Sequence, residues 1–275
     1  MLHHPNIDPV LVALGQLKVH WYGVMYLCAF GFAFWICRLR ARQNRAPFKE
    51  SQVDDLIFYV AMGTILGGRV GYMLFYNFQQ LLTDPISIIA IWKGGMSFHG
   101  GLLGVIAALA LFARKKGIKT GDMMDIAALA APIGLFFGRI GNFIGQELWG
   151  RPTDVPWAML FPNDPSLLPR HPSQLYEAIL EGLVIFIVIY CYLNRTRPRW
   201  AAGALFLILY GSFRFFVEFF REPDAHIGID LLGWMSRGQI LSIPMILIGA
   251  CVLFWAYHKN AQSGNLAAPQ QKVKC

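Results

Sequence analysis

The sequence predicts an all-α, polytopic integral membrane fold with about seven transmembrane helices. Three observations predict it. The 275 residues are 56% hydrophobic and only 15% charged, too apolar a mixture for one soluble domain of that length. Seven stretches approach the roughly 20 apolar residues that a bilayer core demands. The basic residues crowd the alternate connections between those stretches, which is how Lys and Arg distribute on the cytoplasmic side of a membrane.

The first span is placed at 19–37. The segment before it lacks a basic start and a small-residue cleavage site, so the span is expected to stay as an uncleaved anchor. Arg38, Arg40, Arg42, Arg45 and Lys49 follow it. The second span, 54–76, leads outward and the third, 95–113, returns to Arg114, Lys115, Lys116 and Lys119. The fourth, 123–145, and the fifth, 174–194, flank a segment at about 146–173 that carries Trp149, Trp157 and Phe161 and is expected to form an ordered periplasmic cap. Arg195, Arg197 and Arg199 separate the fifth span from the sixth, 201–221. The seventh, 237–257, is followed by Lys259, Lys272 and Lys274.

Fifteen of the 24 basic residues therefore fall on one side, against Lys18, Lys93, Arg151, Arg170 and Arg237 on the other. With an odd number of spans, the N-terminus is expected in the periplasm and the C-terminus in the cytoplasm. Residues 1–258 read as one transmembrane domain. The stretch 259–275 is polar, rich in Gln and Ala and without hydrophobic period, and reads as a disordered cytoplasmic tail.

The net charge of +8 does not indicate nucleic acid, because the basic residues lie in short loops beside spans and form no single patch. Cys28, Cys37, Cys191, Cys251 and Cys275 are scattered, with no C-x-x-C pair and no histidine at ligand spacing. No disulfide framework, metal site or cofactor is expected.

The remaining arginines are Arg69, Arg139, Arg214 and Arg221, all within predicted spans. An intramembrane arginine costs at least about 2.5–3.5 kcal/mol on insertion scales, so a functional site is the default reading. Arg69, Arg139 and Arg214 lie in the outer halves of spans two, four and six, about 10 Å below the outer edge, and Arg221 lies at the rim. The odd spans enter from that side with His20 and Tyr22, Ser97 and His99, and Glu177 and Glu181. These polar groups share one level, which predicts a single pocket open to the outer leaflet and the periplasm.

Arg139 and Asn142, three residues apart, face one way on a helix, and the planar guanidinium suits bidentate phosphate binding. The alternative for Arg139 is a buried structural pair with Glu147 or another acid. Arg214 and Glu218 stand at i,i+4, which permits a simple salt bridge and equally a glutamate that prepares the guanidinium for an anion; Tyr210 lies on the same face. An imidazole titrates near pH 6.5, so His99 is the natural general base, although a lone histidine more often only caps a carbonyl. His171 belongs to the start of the fifth span, with Ser173 as its helix cap. The glycines shared by Gly68-Arg69-Val70-Gly71 and Gly138-Arg139-Ile140-Gly141 suggest either a worn repeat or close helix packing, and those of 94–104 either packing or a site entrance.

Together the motifs HWYG (20–23), GGRVGYMLFYN (67–77), GGMSFHGGL (94–102), GRIGNFIGQELWG (138–150), RHPSQLYE (170–177) and YGSFRFFVEFFREP (210–223) resemble, in order, those of the bacterial prolipoprotein diacylglyceryl transferases. One departure is Gly145-Gln146, where that family leads one to expect Asn-Gly or Asn-Ala. The resemblance implies an inner-membrane enzyme that moves the diacylglyceryl group of phosphatidylglycerol to the lipobox cysteine of a preprolipoprotein. It implies a thioether product, released glycerol phosphate and no metal or cofactor. On that reading Arg139 and Arg214 hold the phosphodiester and stabilise the departing phosphate, and His99 is the base. Asn142 and Tyr210 orient the headgroup, Glu147 and Glu218 position the arginines, and Tyr22 lines the chamber. Arg69, Gly150 and Arg221 complete the substrate-binding set. A transporter using the same arginines is the main rival, but such proteins bind near the midplane and often carry inverted repeats.

Overall fold

The computed structural model describes residues 2–15, 17–90, 94–222, 229–231 and 235–262. The described residues are mostly helical, as expected of an all-α polytopic protein, with six helices long and apolar enough to cross a membrane. The expected span at 201–221 is a shorter apolar helix, Ala201–Val217. Lys93, Pro223, Lys272, Lys274 and Cys275, which entered the sequence reading, lie outside the described residues.

The chain divides into two compact units. One comprises Met1–Ala33 with Asp125–Cys275, the other Phe34–Met124. Helix α1, Trp21–Arg42, and helix α5, Thr120–Ile144, each contribute to both. Helix α1 runs past the expected end at 37, so Arg38, Arg40 and Arg42 continue the helix that they were expected to follow. Basic side chains in a last turn complement the partial negative charge of that terminus, which favours the extension.

In the Phe34–Met124 unit, α2 (Val53–Phe75) and α4 (Phe98–Lys116) pack face to face. A short helix α3, Phe78–Thr83, and a 3-10 turn, Pro85–Ile89, connect them. The two long helices touch through main chain. A side chain at Gly104 would meet the Gly63 carbonyl oxygen at 2.0 Å, and one at Gly67 would meet the Gly100 carbonyl oxygen at 2.4 Å. Close packing between small residues, the simpler of the two readings of these glycine runs, is therefore present, and dispersion over that contact substitutes for a hydrophobic drive that lipid cannot supply. Ser97 caps α4 by accepting the Gly100 amide at 3.2 Å, and Gly117 at φ +68° ends it in a left-handed turn. At the basic end, Arg38 and Arg42 reach Glu50 at 2.6 and 2.8 Å and Lys116 reaches Asp55 at 2.7 Å.

The other unit begins with strand β1, Leu2–His3, and a hairpin of β2, Val10–Leu14, with β3, Leu17–His20. Strand β1 pairs in parallel with β4, Met159–Leu160. After that segment comes one helical rod, Ser173–Tyr192, made of α6 (Ser173–Glu177), a π turn (Ala178–Val184) and α7 (Ile185–Tyr192). Helix α8 is Ala201–Val217 and α9 is Arg237–Gln262, with strands β5 (Ile229–Leu231) and β6 (Met235–Ser236) between them. Trp200, at φ +74°, offers α8 no side-chain cap, and the Asp125 carboxylate of α5 substitutes by accepting the Trp200 and Gly203 amides, each at 2.8 Å. Helix α9 continues through 259–262, so this part of the expected tail is helical; 263–275 lie outside the described residues. Exposed Leu27, Phe58, Leu66, Leu111 and Phe254 along the helices fit a hydrocarbon solvent.

Candidate active site

Two arginines on different helices share one glutamate. Arg139 Nε of α5 lies 2.8 Å from Glu177 Oε2, and Arg214 Nη1 of α8 pairs with Glu177 Oε1. Glu177, fully buried at the end of α6, thus uses one oxygen for each cation. One turn on, equally buried Glu181 stands 4.0 Å from Arg139 Nη2 and 3.8 Å from Arg214 Nη1. Arg214 Nη2 also pairs with Glu218 at 2.7 Å, and Arg221 Nη1 lies 3.6 Å from the other oxygen of Glu218. The Ser236 hydroxyl donates to Glu218 at 2.9 Å. The three arginines keep 11–19% of their side chains exposed while the carboxylates behind them are buried. Fixed guanidiniums backed by buried acids form a preorganised anion site, able to meet developing negative charge without reorganising.

Beside this cluster the chain after α5 turns tightly. Gln146 and Leu148, at φ +54° and +58°, bracket Glu147. Such backbone is uncommon for residues other than glycine and persists only when its surroundings hold it. Here Gln146 is buried, donates to Asn6 Oδ1 at 3.2 Å and accepts the Asn163 amide at 3.0 Å. Gln174 donates to the Glu147 carbonyl at 2.7 Å and Ser173 to the Leu148 carbonyl at 3.0 Å. Ser173 is thus not the helix cap that its position suggested, because Pro172 occupies that place and the hydroxyl points back to the turn.

Asn142 bridges the turn and the arginine by long contacts, accepting from Arg139 at 3.4 Å and donating to Glu147 at 3.5 Å. Glu147 therefore acts on Asn142, whereas the acid set directly against Arg139 is Glu177. At Gly150 a side chain would fall 2.4 Å from the Phe220 carbonyl oxygen and 2.7 Å from that of His171. The glycine lets this strand bridge Arg221. Tyr22 rests its ring on Gly141, close enough that a side chain there would meet it at 2.8 Å. Tyr210 stacks on Phe206 and shares its electrostatic surroundings with Glu181, Arg214, Arg139 and Glu177.

Arg69 and His99 belong to the Phe34–Met124 unit. Buried Arg69 spends its donors on main chain, with Nη2 to the Ser87 carbonyl at 2.6 Å, Nη1 to Gly94 at 2.5 Å and to Gly95 at 3.3 Å, and Nε to Ile88 at 3.2 Å. It organises the connection between α2 and α4, and its fork has little left for a ligand. His99, in the first turn of α4, is exposed with its ring edge-on to Phe98 at 5.6 Å.

A family model described as prolipoprotein diacylglyceryl transferase matches residues 9–255. The chain belongs to the prolipoprotein diacylglyceryl transferase family. It is 53% identical to a phosphatidylglycerol–prolipoprotein diacylglyceryl transferase of Teredinibacter turnerae over 280 residues, 98% of each chain. Proteins of the same name from Coxiella burnetii and Azotobacter vinelandii share 54% and 52% identity, covering 94% and 95% of this chain and 100% and 99% of theirs.

In this member of the diacylglyceryl transferase family, Glu177 and Glu181 stand at the level of the pocket, as the sequence placed them, but sequence reasoning assigned them no role. Their signal was present, two acids at i,i+4 inside an apolar span, but their partners come from two other helices. The segment 146–173 is also held together by a polar node. Buried Arg170 pairs with Asp164, donates to Ser166 at 3.0 Å and to the Gly150 carbonyl at 3.2 Å, and meets Glu222 at 3.3 Å. Burial pushes the Asp164 carboxyl up, but hydrogen bonds from Arg170 and Ser166 outweigh it and hold the group below the usual carboxylate range.

Proposed function

We propose that the chain transfers the diacylglyceryl group of phosphatidylglycerol to the thiol of the lipobox cysteine in a preprolipoprotein. The carrying observation is the pair of guanidiniums, Arg139 and Arg214, set by one buried glutamate within a family whose relatives are named for this reaction. Arg139 and Arg214 bind the phosphodiester, Asn142 and Tyr210 orient the headgroup, and Tyr22 lines the chamber. Glu218 and Glu177 hold the arginines, Glu147 holds Asn142, and Arg221 extends the positive rim beyond Glu218. Gly150 lets the turn bearing Glu147 lie against the chain at Arg221. Arg69 serves by binding the carbonyls of Ser87, Ile88, Gly94 and Gly95.

The thiolate of the lipobox cysteine attacks the glyceryl carbon, the carbon–oxygen bond breaks, and the electron pair leaves with the phosphate as glycerol phosphate. Phosphorus itself is not attacked. A free thiol ionises near pH 8.5, so a base is needed at neutral pH, and His99 is that base in this proposal. Charge building on the departing phosphate meets the two guanidiniums, a contribution of the kind that dominates many enzymes. The enzyme lies in the bacterial inner membrane with its N-terminus and site toward the periplasm, its C-terminus in the cytoplasm and residues 146–173 as a cap. The basic distribution along the sequence supports that orientation.

The test is a transfer assay with purified protein, phosphatidylglycerol and a lipobox peptide read by mass. A diacylglyceryl gain on the cysteine peptide, absent from its Cys→Ser counterpart, is the expected result. No gain while the headgroup still binds would favour a transporter.

A further inference from the structure

Among the described residues, Glu181 is the one carboxylate of the arginine cluster with no cation nearer than 3.8 Å. The network named above sets Arg139, Arg214 and Arg221 against Glu177, Glu181 and Glu218. Glu177 has an arginine on each oxygen, and Glu218 has Arg214 at 2.7 Å and the Ser236 hydroxyl at 2.9 Å. Glu181 is fully buried, and its nearest guanidinium nitrogens, at 3.8 and 4.0 Å, are beyond hydrogen-bond reach. Neither of its oxygens accepts a hydrogen bond among the described residues. It also lies in the π turn Ala178–Val184, a departure from α geometry that recurs at functional positions. The groups that face it are Glu177 on its own rod, Arg139 of α5, and Tyr210, Arg214 and, beyond the helix end, Glu218 from α8 and its continuation.

A phosphodiester headgroup adds one negative charge to this set and draws on the same two guanidiniums that attract Glu181. Buried excess charge is expensive, and it is relieved at the group whose ionised form has the least support. We infer that Glu181 takes up one proton when the phosphodiester of phosphatidylglycerol binds at Arg139 and Arg214, and releases it when glycerol phosphate departs. The inference rests on the proposed function and adds to it a charge-compensating, positioning residue. The step is a protonation from solvent, carboxylate to carboxylic acid, with no covalent or redox change.

The experiment measures phosphatidylglycerol binding to the whole chain in phosphatidylcholine nanodiscs between pH 5.5 and 8.5, for the wild type and Glu181→Gln. Wild-type affinity is expected to fall as pH rises, approaching roughly tenfold per pH unit for one linked proton. Glu181→Gln, a permanently neutral side chain, is expected to show a flat profile. A flat wild-type profile, or an equal slope in the variant, would overturn the inference. Should the variant not fold, calorimetry of the wild type in two buffers of different ionisation enthalpy counts the proton directly. About one taken up supports the inference, and none overturns it. Absence of phosphatidylglycerol binding at every pH would refute the functional reading and this inference with it, whereas binding without proton linkage refutes this inference alone.

Discussion

Replacing Glu177 by glutamine keeps the shape of the side chain and removes one charge from between two guanidiniums. The wild-type carboxylate is fully buried, 2.8 Å from Arg139 and paired through its other oxygen with Arg214. Removing one partner of a buried ion pair costs about 3–5 kcal/mol, because the charge left behind stays desolvated. Glu181, at 3.8 and 4.0 Å, remains to share the two cations, which places the cost near the lower end. At roughly 2–4 °C per kcal/mol for a chain of this size, about 3 kcal/mol lowers the melting temperature by about 6–12 °C. The effect on transfer has a different origin. Without their common anchor the two guanidiniums drift relative to one another, and a displacement of about 1 Å costs on the order of 100-fold in rate. The assays are a thermal melt of the purified protein and diacylglyceryl transfer to a lipobox peptide at saturating phosphatidylglycerol. A Glu177→Gln protein with wild-type melting and wild-type transfer would refute the claim that this glutamate sets the arginines.

Arg139→Ala is expected to abolish transfer while the protein still inserts, checked by the same mass assay beside membrane fractionation. His99→Gln should lose the chemistry and keep phosphatidylglycerol binding; normal turnover would remove it as the base. Gly104→Leu forces a side chain into main chain 2.0 Å away and should destabilise by more than the roughly 1–3 kcal/mol of ordinary overpacking, whereas Gly31→Ala, with nothing within 4 Å, should melt like the wild type. Because the folded Asp164 carboxyl titrates below its ordinary value, its contribution is complete above about pH 4 and is lost as pH falls through the depressed value. Limited proteolysis at 146–173 should therefore be unchanged from pH 5 to 8, rise in acid, and become insensitive to acid in Asp164→Asn.

The spans were legible because a run of apolar residues reports its solvent directly. Helix ends were less so, since Arg38 to Arg42 and Arg114 to Lys116 look like loop by charge and are held in last turns by the helix dipole. The pairing of Arg214 with Glu218 was readable from its spacing of four. Glu177 was visible as an unusual acid, but no one-dimensional pattern says that helices from 120, 173 and 201 bring two arginines to it. Arg69 shows the converse. An arginine in a span reads as a ligand, and only the structure reveals the carbonyls of Ser87, Ile88, Gly94 and Gly95 waiting for it. The Gly145-Gln146 departure also acquired a reason only in three dimensions, where an amide at 146, in place of the expected Gly or Ala, reaches both Asn6 and Asn163.

The pairing of Leu2 and His3 with Met159 and Leu160 has a consequence for synthesis. Helices α2 and α4 need only residues up to 116 for their contact, but strand β1 has no partner until the ribosome has passed 160. At roughly 5–20 residues per second that interval lasts about 8–30 s. For all of it Leu2 and His3 wait, and the unit that holds Arg139 and Arg214 is closed by two strands made far apart in time.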